Sequence, residues 1–111
     1  MGERWRIEAE DEVDEWLLKL SARDAARARL YLELLAEQGS ALSMPYVRSL
    51  GGGLRELRFH LRDEQRRIIF WIAPDRRIVL LTTFRKQRQS ERREVERAQT
   101  VRQRVQQEFN K

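Results

Sequence analysis

The residues best equipped for chemistry are basic side chains set into apolar, strand-like segments. In "GGGLRELRFHLRDEQRRIIFWIA", residues 51–73, Arg55, Arg58, Arg66 and Arg67 stand among leucines and aromatics, and "TTFRKQRQ", residues 82–89, adds Arg85, Lys86 and Arg88. Arginine carries a planar fork of donors that stays charged, a shape matched to phosphate oxygens. Cleaving RNA without a metal needs such donors aimed at the charge that grows on the scissile phosphate. Taken singly, each arginine reads more readily as a solvated strand-end charge or as half of a salt bridge, for instance Arg58 with Glu56 two positions away. The chemistry requires that they converge.

Strand alternation supplies the convergence. Over Leu54–Leu61, Leu57, Phe59 and Leu61 point to one side while Glu56, Arg58 and His60 point to the other. Over Arg66–Ala73, Ile68 to Ile72 are apolar on both faces, as in a central strand covered on each side. Pro74-Asp75 offers a turn into a further strand over Ile78–Phe84, so the three strands form an antiparallel meander. The last strand then ends near the start of the middle one, bringing Arg85 and Lys86 toward Arg67 and Arg58 on one rim. Glu56 and His60 share a face with Arg58 and could move protons, although orienting Arg58 and standing at the surface are simpler roles for them. Trp71 could stack on a base, but core packing suits it better.

The elements ahead of the meander support it. "RWRIEA" alternates as a short first strand, and Val13, Trp16, Leu17 and Leu20 follow at helical spacing. Ser21 is an N-cap for a second helix through about Gln38, which Gly39 is placed to end. The segment "SALSMPYVRSLGGG" carries loop signals, with Met44, Tyr46, Val47 and Leu50 expected to tuck beneath it. Its three glycines lack the spacing and the Lys-Ser/Thr pair of a phosphate-binding loop, so they suit a flexible lead-in to a strand. Ser90 is expected to cap a last helix with Glu91 at its positive end, held by a narrow seam of Val95, Ala98, Val101, Val105 and Phe109. The order β-α-α-β-β-β-α describes one α+β domain over residues 1–111.

Composition narrows the class. Residues 1–53 hold 7 Lys/Arg against 10 Asp/Glu, whereas residues 54–111 hold 16 against 8, so the net charge of +5 hides a cationic second half. Such asymmetry suits a phosphate-rich or acidic partner. With no cysteine and one histidine there is neither a disulfide framework nor a zinc cluster, and no metal or cofactor is expected. The longest apolar run, Ile68 to Ala73, is too short to span a bilayer, and charged residues fill the start where a signal peptide would be apolar. A cytoplasmic protein without membrane contact is expected.

Taken in order, "LRELRF", the arginine before the apolar strand of "RRIIFWI", the "DRRIVLL" hairpin and "TTFRKQ" ahead of a final helix resemble the phage-derived HigB-like toxins of the RelE/ParE superfamily. The likeness covers about the last two thirds of the chain, and the β-α-α start agrees with it. The resemblance implies a RelE-like fold, with an N-terminal strand and helical hairpin packed on an antiparallel sheet and a C-terminal helix. It further implies the toxin of a type II toxin-antitoxin pair that cleaves mRNA, usually on the ribosome, without metal, and is neutralised by a helix-turn-helix antitoxin. On that likeness Arg58 and Arg67 match phosphate-binding arginines and Lys86 the basic residue after the last strand, with Arg85 beside it. Arg55, Arg66, Arg88 and His60 are then expected to contact substrate. The chain departs from RelE in having Glu56 where a lysine stands and no tyrosine after Tyr46, so the general acid and base stay open. A ParE-like poison of DNA gyrase and a non-toxic nucleic-acid-binding module remain the alternatives.

Overall fold

A strand apolar on both faces needs a cover on each, and the computed structural model supplies two. It describes residues 3–87 and 91–110. Strands Arg6–Ala9 (β1), Val47–Gly51 (β2), Leu54–His60 (β3), Gln65–Ala73 (β4) and Arg77–Arg85 (β5) form one sheet in the order β1-β5-β4-β3-β2. Only the β1–β5 pair is parallel; the others are antiparallel. Helices Asp11–Leu18 (α1) and Ala22–Gln38 (α2) lie on one face, where Val13, Ala28 and Leu35 join Leu57, Phe59, Ile68, Phe70, Ile78 and Leu80 in a core. The helix Arg92–Phe109 (α3) covers the other face, and Ala98 and Val105 pack on Leu54, Ile69, Trp71, Val79, Leu81 and Phe84. The expected α+β order therefore holds, and Trp71 is a core residue whose ring meets that of Phe109 edge-on.

Local signals act where the sequence places them. Ser21 Oγ accepts from the Asp24 amide at 3.1 Å, satisfying one of the free donors at the start of α2. Gly39 ends that helix at φ +50°, and a Cβ there would overlap the Trp5 indole. Besides its narrow apolar seam, α3 is held by charge, since Arg97 pairs with Glu12, and Arg104 with Glu10 at 2.6 Å. Ser90, the expected cap, lies outside the described residues. Among the described residues no helix is long and apolar enough to cross a membrane.

Two features differ from expectation. The segment read as a loop contains β2, an edge strand in which Val47 is buried against Leu57, while Met44 and Tyr46 stay exposed rather than tucked in. The glycines that close it, Gly51, Gly52 and Gly53, have φ of +82°, +60° and +80°, so they make a left-handed turn that other residues adopt only with strain. The second feature is a bulge. Ile69 pairs with Thr82 but Phe70 with Leu80, so Leu81 is an extra residue in β5. A one-residue slip exchanges the faces of everything that follows. Thr83 and Arg85 thus lie on the α1/α2 face with Ile68 and Arg66, whereas Thr82 and Phe84 share the α3 face with Ile69 and Arg67.

Gly39→Ala should lower the unfolding free energy by on the order of 2 kcal/mol, because it combines a positive φ with a steric overlap. Urea denaturation measures this; an unshifted midpoint would mean that the Trp5 ring yields freely.

Candidate functional site

The β3–β4 register sets Arg58 directly opposite Arg67 on the α3 face. Like charges in that position repel across the ladder. Two residues up the same face, Glu56 intervenes: its Oε1 lies 3.7 Å from Arg58 Nε and 3.6 Å from Arg67 Nε. Those are ion-pair distances too long for hydrogen bonds, and both Glu56 oxygens, fully buried, lack a protein donor. Arg67 is itself 4% exposed, with Nη1 donating to the Arg66 carbonyl and Nη2 to Gln65 Oε1, each at 3.2 Å. Arg58 is half-buried and reaches Met44 Sδ at 3.4 Å. Arg48, on β2, is opposite Glu56 in register and adds further positive charge.

Lys86 enters from the end of β5. Its amide donates to the Gln65 carbonyl at 2.8 Å, extending the ladder past the last strand residue, and its Nζ lies 2.8 Å from Glu91 Oε1. Glu91, just ahead of α3, is the carboxyl neighbour of Glu56. A neighbouring carboxylate disfavours ionisation of a buried carboxyl. Burial, then the Glu91 contact, pushes Glu56 up from 4.5 to about 7, against the pull of Arg67 and Arg58. For Glu91, burial is outweighed by the neighbouring Glu56 and by the paired Lys86, which hold it below the usual carboxylate range. Glu91 also borders an open cleft of about 810 Å³ lined by Phe84, Arg85, Gln87 and Arg92.

Of the residues singled out in the sequence, the structure gathers Arg58, Arg67 and Lys86 around the Glu56–Glu91 pair. It does not bring the others there. Arg85, expected beside Arg67, is turned by the bulge to stand opposite Arg66 on the other face. Arg66 stacks over Trp16 at 4.3 Å and donates to Thr83 Oγ1 at 2.9 Å. Arg55 also points to the α1/α2 side by strand alternation and donates to the Ser40 carbonyl at 2.9 Å. His60 shares the face of Arg58 but stands exposed at the end of β3, its carbonyl accepting from Arg27. Arg88 lies outside the described residues. Glu91 and Arg48 were not singled out for the site: the first reads as a helix-dipole partner, and the second sits in a segment read as loop. Among the described residues no three His, Cys, Asp or Glu side chains gather as metal ligands would.

An antiparallel meander between a helical hairpin and a C-terminal helix is a fold shared with the RelE toxins. The fold matches that of an E. coli RelE arginine-to-alanine double mutant in the free state, with a TM-score of 0.53 at 9% identity over 72% of this chain and 81% of that one. It likewise matches a chain of the intact E. coli RelBE toxin-antitoxin complex, with a TM-score of 0.56 at 10% identity over 76% of this chain and 99% of the other. No curated protein sequence matches it. The profile of the phage-derived Gp49-like proteins matches residues 15–106, and the chain belongs to that family.

The raised Glu56 carboxyl fixes the sign of a pH effect. A folded-state value above the unfolded one contributes stability that is complete below 4.5 and lost as pH rises through about 7. Relative to wild type, Glu56→Gln should therefore gain stability from pH 4.5 to 7.5, by up to about 3 kcal/mol. Urea unfolding at several pH values reads the difference; a constant gap would show that the carboxyl is not raised.

Proposed function

We propose that this chain is the toxin of a type II toxin-antitoxin pair, a HigB-like endoribonuclease that cleaves mRNA, on the ribosome, without a metal. The observation that carries this reading is the meeting of Arg58, Arg67 and Lys86, from three separate segments, on one sheet face. In the reaction the ribose 2′-hydroxyl attacks its own phosphate, leaving a cyclic phosphate and a 5′-hydroxyl. Arg58 and Lys86 are open enough to contact the phosphate oxygens and stabilise the added charge. Arg67, nearly buried, contributes its field and holds Glu56. Family membership and the fold shared with RelE support the toxin assignment. The RelBE complex supports a protein antitoxin as partner, here one of helix-turn-helix type, acting in the cytoplasm.

Induced expression should stop growth and yield new mRNA 5′ ends inside coding sequence. Arg58→Ala and Lys86→Ala, with unchanged circular dichroism, should each slow cleavage by on the order of 100-fold. A folded double variant as toxic as wild type would reject these residues as the site. Growth arrest with intact mRNA and lost DNA supercoiling would instead identify a gyrase poison.

A further inference from the structure

The cations of the α3 face form a row as well as a cluster. Four neighbouring strands contribute one each: Lys86 at the end of β5, Arg67 from β4, Arg58 from β3 and Arg48 from β2. Lys86 is level with Gln65 in the ladder, Arg67 and Arg58 stand opposite each other two residues further along β4, and Arg48 is opposite Glu56, another two residues on. The row therefore runs diagonally across the sheet to its β2 edge. Adjacent strands lie about 4.8 Å apart and diagonal neighbours about 7–8 Å, so the charges are stepped to follow an extended polyanion rather than to enclose one small ion.

The members differ in what they leave for a ligand. Arg67 is nearly buried, and Lys86 is paired with Glu91. Arg58 reaches Met44 Sδ, a weak acceptor that a phosphate oxygen displaces readily. Arg48 is exposed and, among the described residues, has no hydrogen bond or ion pair. Glu56, the acid opposite it, is fully buried and turned toward Arg58 and Arg67. The strand that carries Arg48 is nonetheless fixed, by Val47 against Leu57 and by the glycine turn into β3.

We propose that Arg48 is a second phosphate subsite: the RNA strand crosses the sheet face diagonally, its scissile phosphate at Arg58 and Lys86 and an adjacent phosphate on Arg48. The inference rests on the ribonuclease reading above and adds the direction in which the substrate lies. The competing path runs over the strand ends, where Arg85 and Lys86 line an open cleft of about 570 Å³ with His60 and Arg62. That cleft also carries Asp63 and Glu64, whose carboxylates repel phosphate. A phosphate that does not react makes the same contact before and during cleavage, so the Arg48 contact acts through KM.

Neutral methylphosphonates in place of single phosphates test the path. Ribosomes are programmed with mRNA carrying the neutral group next to the scissile phosphate, on its 5′ side in one message and its 3′ side in another. Wild type should lose on the order of 10-fold in kcat/KM on one of the two. Arg48→Gln should lose about as much on unmodified mRNA, through KM, and should be indifferent to that methylphosphonate because the contact is already gone. Arg48→Lys, which keeps the charge, should respond as wild type does, and so should Arg85→Gln. A wild type insensitive to both modifications, losses in Arg48→Gln that multiply with that of the methylphosphonate, or indifference in Arg85→Gln would overturn the path while leaving the ribonuclease reading intact. Wild type that cuts none of these messages would overturn both.

Discussion

A buried carboxyl between two guanidinium groups is the constraint on which the rest of the site depends. The pairing of β3 with β4 forces Arg58 and Arg67 face to face, and Glu56 counters them from the same face of β3. None of the three is stable there alone. Removing Glu56 leaves two like charges opposed across a ladder, and removing Arg67 leaves a buried carboxyl with much less reason to ionise. Because the Nε atoms turn toward Glu56, the guanidinium ends are left for other contacts, which for Arg67 are the Arg66 carbonyl and Gln65.

The fold delivers the remaining members through two devices. One is the double covering of β4, which lets α3 return over the sheet and bring Glu91 down onto Glu56. The other is the bulge at Leu81, which turns Arg85 to the α1/α2 face. Lys86, the next residue, closes the ladder on Gln65 and pairs with Glu91. Without that extra residue the end of β5 would present the opposite set of side chains to the cluster. An edge strand, β2, adds Arg48 opposite Glu56, and the all-glycine turn lets it fold back tightly onto β3.

Much of this is legible in the sequence, for reasons that are local. The alternation of Leu57 and Phe59 against Glu56 and Arg58, the unbroken apolar run of β4, the Ser21 cap and the Gly39 stop each follow from a period or a backbone preference. What escaped depended on pairing. A strand as short as β2, set between a proline and three glycines, has too few residues for its period to show. The bulge is invisible until the two strands are aligned, so Arg85 and Lys86 could not be told apart. Glu91 looks like a partner for a helix dipole until α3 is laid across the sheet, and only then does it meet a carboxyl from a strand 35 residues earlier.

Carbon-13 shifts of the glutamate side chains, followed across a pH titration of the free protein, examine the buried carboxyl at the centre of the site most directly. Glu56 should keep its proton until pH approaches about 7, whereas Glu91 should ionise below the usual carboxylate range. A Glu56 carboxyl that ionises in the ordinary acidic range would contradict the account.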